Sequence, residues 1–173
     1  ERYIGHPLAY IPAPNKDGEP GDGSTSYAQH FLDPFLESLE AIGVFPEVVM
    51  NHETYESGAF AKSIDLVISH NDEIRNLIES ISGRDVPDGW FPYNPIGSDG
   101  SLDGVTVTRY DKPLVHWVDR NGVKGSSDIR KGEGKLPCRI DWAARWGILG
   151  ITCEPAGKDH GASGGSYDTG IPI

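Results

Sequence analysis

The 173-residue chain has little cysteine, a single methionine and a deficit of positive charge. Its two cysteines, Cys138 and Cys153, lie far apart and form no paired pattern, which argues against a disulfide scaffold and fits a reducing cytosol. No secretory apolar segment is present and no apolar run is long enough to cross a bilayer, so the expectation is a soluble, cytoplasmic protein with no membrane partner. Lys and Arg number 15 against 26 Asp and Glu, a formal charge of −11. That balance argues against DNA binding, yet it leaves room for RNA contact through a local patch. Neither a Walker loop nor a Gly-x-Gly-x-x-Gly fingerprint occurs. The first residue is Glu1 rather than Met, from which we expect a chain that starts inside a longer protein.

What is present is enough apolar residue, 37%, for one real core, and therefore for one domain or a piece of a larger one. Residues 3–23 are rich in Pro and Gly and read as a loop. Ser24 or Thr25 is the expected cap of a helix running to about Ile42, with Tyr27, Phe31, Phe35 and Leu39 at helical spacing and Pro34 weakening it. "VFPEVVM" (Val44–Met50) reads as a short strand. A longer helix is expected across Ala59–Ile81, where Ile64, Val67, Ile68, Ile74, Leu77 and Ile78 make an apolar stripe. From Asp85 to Ser127 the texture turns to β, with runs at Val105–Tyr110 and Leu114–Val118 around the turn Asp111-Lys112-Pro113. Helical texture returns at "DWAARWGILG", where Trp142 and Trp146 stand one turn apart, and "GITCEP" reads as a buried strand, Ile148–Cys153. The fold class expected is α/β.

That last strand delivers the chain to "EPAGKDHGASGG", with a new helix expected near Gly161–Ser166. In open α/β sheets ligands bind at strand carboxyl ends, where glycines admit close backbone approach and helix N-termini favour anions. Read this way, Asp159 accepts from ribose hydroxyls, Lys158 meets a phosphate and His160 bonds a small polar substrate. Gly157, Gly164 and Gly165 leave the backbone approachable. The competing reading is a solvated glycine-rich surface loop.

The wording of these blocks resembles a specific family. "RIDWAARW" (Arg139–Trp146) followed by "CEPAGKDHGASGGSYDTG" (Cys153–Gly170) is similar to the class I lysyl-tRNA synthetases. "YIGHPLAYIPAP", "SYAQHF" (Ser26–Phe31), "YESGAF" (Tyr55–Phe60) and "DIRKGEGKLP" (Asp128–Pro137) follow the same family's order. The resemblance implies an incomplete class I Rossmann-type catalytic domain with a small β-rich, zinc-ribbon-like but metal-free insertion. Residues 1–84 would be an α/β segment, 85–127 the insertion, and 128–173 the start of the second Rossmann half. The family's HIGH- and KMSKS-type motifs fall outside these residues. The implied partners are ATP with Mg2+, L-lysine and tRNA(Lys). By resemblance Gly157, Lys158 and Asp159 belong to the ATP site and His160 to the lysine pocket. Arg130, Lys131 and Lys135 can approach a phosphate of ATP or of the tRNA acceptor end, or form a solvated loop. Ser166, Tyr167 and Asp168 are neighbours of the site or residues that cap and pack.

Two departures from the family pattern bear on function. Cys138 stands where relatives carry a tryptophan that packs on the lysine side chain, and a thiol supplies no aromatic face for a cation; Trp142 is the nearest candidate to take over. The insertion lacks the paired Cys-x-x-Cys knuckles of many relatives, leaving His116 with Asp99, Asp103 or Asp119 as a weak ligand set. No zinc is expected. A second functional class therefore stands beside the ligase: a catalytically inactive paralogue used for binding or regulation.

Overall fold

The computed structural model describes residues 2–83 and 85–173; Glu1 lies outside the described residues. Among these residues no helix is long and apolar enough to cross a membrane. A 3-10 turn at Leu8–Tyr10 leads into α1 (Tyr27–Ala41), then α2 (Asn51–Glu56), α3 (Ala61–Ser69) and α4 (Asn71–Ser82). Two short antiparallel sheets follow. β1 (Asn94–Pro95) pairs with β5 (Gly134–Lys135), and β2 (Thr106–Asp111), β3 (Leu114–Val118) and β4 (Lys124–Asp128) form a meander. Helices α5 (Cys138–Leu149) and α6 (Ser166–Gly170) complete the chain.

Helix α1 begins one residue later than expected: Ser26 is the cap, its Oγ accepting from the Gln29 N–H at 3.1 Å and satisfying one of the orphan donors of the first turn. The helix runs through Pro34 and buries none of its residues, so Phe31 and Phe35 of its apolar stripe are each 57% exposed. The single helix expected over Ala59–Ile81 is two. It breaks at His70 (φ −113°, ψ 27°), whose Nδ1 lies 3.0 Å from the Leu66 carbonyl, and α4 starts on the next residue. Periodicity survives the break because Ile64 and Val67 of α3 and Ile74 of α4 all bury toward one core. Gly83 ends α4 in the left-handed conformation (φ 64°), which glycine adopts without a Cβ clash.

Beside the two runs that the sequence pattern announces, the structure holds the two-residue strands β1 and β5 and a third meander strand, β4. β4, "KGSSD", has no apolar alternation; it pairs because Gly125 lies opposite Trp117, where any Cβ would collide with the indole, and because the indole N–H donates to Ser127 Oγ at 2.9 Å. Val115 of β3 and Ile129 join Tyr55, Phe60, Ile64, Ile74, Leu136 and Ile140 in one buried cluster, so sheet and helices share a core. At its centre the Tyr55 and Phe60 rings stack at 3.8 Å, an arrangement contributing about 0.5–1.5 kcal/mol beyond area burial.

Two expected strands do not form among the described residues. Residues 44–49 run without turn, bend or ladder, and α5 instead extends through Ile148 to Leu149, ending on Gly150 (φ 63°). Residues 151–157 then continue irregularly and largely exposed. A strand is defined by its neighbour's hydrogen bonds, and neither segment has one here.

Candidate functional site

The C-terminal site is built on one face of α5. Cys138, Trp142 and Trp146 are spaced by four residues, one helical turn each, and so stand in a row. Cys138 is exposed at the first turn, Trp142 is 8% exposed and Trp146 is half-buried. The Trp142 ring meets His160 edge-on at 5.3 Å and Tyr167 at 5.8 Å. Tyr167 also lies 5.8 Å from Trp146, whose indole N–H donates to Glu154 Oε2 at 2.9 Å. Tertiary structure thus collects an aromatic cluster of Trp142, Trp146, His160 and Tyr167 from the two motif blocks at 139–146 and 153–170.

The loop that presents the Lys-Asp-His triplet is held from below by its own backbone. The His160 and Gly161 N–H groups donate to the Gly157 carbonyl at 3.0 and 3.1 Å, and the Tyr167 N–H donates to the His160 carbonyl at 3.1 Å. Gly165 is required for this closure, since a Cβ there would lie 2.7 Å from the Ala162 carbonyl oxygen. Asp168 accepts from the Gly164 N–H at 3.1 Å, so Tyr167 packs and Asp168 braces the loop. Gly157, Lys158 and Asp159 are exposed, nothing lies within 4 Å of where a Gly157 Cβ would stand, and among the described residues the Lys158 and Asp159 side chains form no hydrogen bond or ion pair. A free ammonium and a free carboxylate flank the one side chain, His160, that is anchored on the aromatic cluster.

The basic loop behaves differently at each residue. Arg130 is committed to Asp128 by two bonds, Nε to Oδ1 at 2.9 Å and Nη2 to Oδ2 at 2.7 Å, which hold the Asp128 carboxyl down at about 2. Lys131 is exposed. Lys135 sits in β5 opposite Asn94 and lines a cleft of about 440 Å³ together with His6, Tyr10, Asn51 and His52.

Sequence reading missed the support beneath this site. Asp141, one residue before Trp142, is 5% exposed. It accepts from Tyr55 Oη at 2.6 Å and from Asn51 Nδ2 at 3.3 Å, and its other oxygen pairs with Arg145 Nε at 2.9 Å. Tyr55 Oη in turn accepts from the Leu136 N–H at 3.0 Å. Burial, together with the neighbouring Asp141 charge, pushes the Tyr55 phenol well above its ordinary range, so it stays a donor. The network fixes α2, α5 and the chain entering α5 relative to each other. The available signal was an acidic residue set between Ile140 and Trp142 in an apolar helix.

The metal question turns on the same inventory. His116 lies 3.5 Å from Asp111, not beside the three acids considered for it. Asp99 pairs with Arg120, and Asp119 accepts from the Asn121 and Val123 N–H groups. No trio of His, Cys, Asp or Glu among the described residues is placed to hold a metal ion. Elemental analysis after mild dialysis is expected to give well below one zinc per chain; near-stoichiometric zinc would mean that His and Asp have replaced the thiolates.

Residues 1–173 match the family model described as tRNA synthetases class I (K). The chain is 41% identical over 174 residues to a lysine–tRNA ligase of Picrophilus torridus, covering 100% of this chain and 33% of that protein. It is likewise 41% identical to the lysine–tRNA ligase of Archaeoglobus fulgidus, with 100% and 34% covered, and 37% identical to that of Methanocaldococcus jannaschii, with 100% and 32% covered. The chain therefore spans about a third of the length of these relatives.

Proposed function

The chain belongs to the class I (K) tRNA synthetases, and on that premise we propose that it is part of a lysine–tRNA ligase, contributing one wall of the site where lysine is activated by ATP. The observation that carries the reading is the presentation of Gly157–His160: an open glycine, a free Lys158 and a free Asp159 beside a His160 seated on an aromatic cluster. Residues 1–84 are an α/β segment of the catalytic and connective region, 85–127 are a β-rich insertion, and 128–173 are the start of the second half of the Rossmann-type catalytic domain.

In the reaction a lysine carboxylate oxygen attacks the α-phosphorus of ATP, pyrophosphate leaves with Mg2+, and the lysyl group then passes from the adenylate to a ribose hydroxyl of the terminal adenosine of tRNA(Lys). Such catalysis is positioning together with stabilisation of phosphoryl charge. Asp159 accepts from the ATP ribose, Gly157 lets the adenosine approach the backbone, and Lys158 faces the phosphates. His160 orients lysine, with Cys138 and Trp142 along the same helical face. Lys131 and Lys135 are the cations free to meet a phosphate of the acceptor end, since Arg130 is already paired.

Pyrophosphate-exchange kinetics on the full-length parent test the roles. Asp159→Ala is expected to raise the ATP KM and His160→Ala the lysine KM, each roughly ten- to a hundred-fold, the worth of one charged hydrogen bond. If both variants keep wild-type KM values for both substrates, the assignment is wrong. The second reading, an inactive paralogue, draws on Cys138, an exposed thiol at the first turn of α5 that itself offers no aromatic face.

A further inference from the structure

Helix α5 starts without a local side-chain cap. Pro137 occupies the cap position and has no side-chain group to accept from the N–H groups of the first turn. The start of the helix is gripped from a distance instead. The Tyr55 hydroxyl accepts from the Leu136 N–H at 3.0 Å and donates to Asp141 Oδ1 at 2.6 Å. A single oxygen atom on α2, 81 and 86 positions away, therefore brackets Cys138 from two residues before it and three residues after it. The bracket has little freedom. Tyr55 is 4% exposed, its ring lies parallel to Phe60 at 3.8 Å, and the Leu136 side chain is fully buried.

We propose that Tyr55 is a positioning residue for the amino-acid substrate: by joining Leu136 to Asp141, its hydroxyl sets where Cys138 and Trp142 stand in the lysine pocket. The proposal rests on the reading of Cys138, Trp142 and His160 as the lysine-facing group. Cys138 lies inside the bracket, and Trp142 is one residue beyond it, with the His160 ring edge-on at 5.3 Å. The loop assigned to ATP is braced by other bonds, from the His160 and Gly161 N–H groups to the Gly157 carbonyl and from the Gly164 N–H to Asp168. Opening the bracket therefore shifts the lysine contacts and leaves Gly157, Lys158 and Asp159 in place. Without the hydroxyl, the buried Leu136 N–H loses its acceptor, and the chain entering α5 moves to find another.

Tyr55→Phe in the full-length parent keeps the ring and its stack and removes only the oxygen. In pyrophosphate exchange its lysine KM is expected to rise about tenfold, the worth of one hydrogen bond, while the ATP KM stays within about twofold. Phe60→Leu disturbs the same stack and leaves the hydroxyl, so it is expected to lower Tm and keep the lysine KM within about twofold. An unchanged lysine KM in Tyr55→Phe, equal rises in both KM values, or the same lysine effect from Phe60→Leu overturns the proposal. A second measurement needs no variant. If the Leu136 bond opens only as the lysine pocket comes apart, bound lysine slows that opening. Hydrogen exchange of the Leu136 amide in the wild-type parent is expected to be about tenfold slower with L-lysine at about ten times its Kd. An amide insensitive to lysine overturns the proposal even where Tyr55→Phe fails to fold. A wild-type parent with no lysine-dependent activity sinks the ligase reading and this substrate with it. An active parent whose Tyr55→Phe variant keeps its lysine KM sinks the positioning role alone.

Discussion

Lysine-dependent ATP–pyrophosphate exchange is expected to be at background for this 173-residue chain alone and robust for the full-length parent. The Gly157–His160 loop offers only one wall of a nucleotide site; it is exposed, and the Lys158 and Asp159 side chains touch nothing that could clamp a triphosphate from the other side. Well-oriented reactants gain an effective concentration on the order of 10⁵ M or more, and that gain collapses when half of the positioning groups are absent. The expected difference is therefore many orders of magnitude. Exchange well above background from the 173 residues would mean that the site lies elsewhere in them. Background exchange from both proteins would favour the inactive paralogue and direct attention to Cys138, with Cys138→Trp in the parent as the first repair to attempt.

Asp141→Ala is expected to be the most damaging single change to the fold. The substitution removes a carboxylate that is 5% exposed, taking the ion-pair partner from Arg145 and the acceptor from the Tyr55 hydroxyl and the Asn51 amide. A buried donor left without its acceptor costs about 1–3 kcal/mol, and here both the Tyr55 hydroxyl and the Asn51 amide lose theirs. At roughly 2–4 °C per kcal/mol for a protein of this size, Tm should fall by roughly 10 °C. Thermal unfolding followed by near-ultraviolet circular dichroism reads this, since Trp142 lies next to the deleted group in the helix. Arg145→Met, which removes the less buried end of the pair, is expected to cost far less. Equal losses from the two variants, or a shift of less than about 2 °C for Asp141→Ala, would show that the network does not hold α5 in place.

How far the sequence was legible depends on whether a residue's partner is local. The helix over residues 27–41 was readable because its apolar residues recur within a few turns, although its cap is Ser26 and not Ser24 or Thr25. The meander strands at 106–111 and 114–118 were readable because a tight turn joins them. The "GKDH" run was readable as a candidate site because its glycines and its three ionisable residues are contiguous. The strand at 124–128 escaped notice because its pairing depends on a glycine lying under Trp117, a contact that composition does not encode. The expected strand at 148–153 failed for the reverse reason: its apolar residues finish a helix, and a helix and a buried strand share the same short apolar texture.

By itself the sequence determined the family, through the order of its motif blocks, and it determined the residue types offered to a ligand at 157–160. The tertiary structure decided what those residues rest on. It alone brought His160 and Tyr167 onto the Trp142–Trp146 face, spent Arg130 on Asp128, and tied Tyr55 to Asp141 across 86 positions of chain. The physical reason is that ionic and aromatic contacts act over a few ångströms of space, so their partners are chosen by how the helices and sheets pack and not by spacing along the chain.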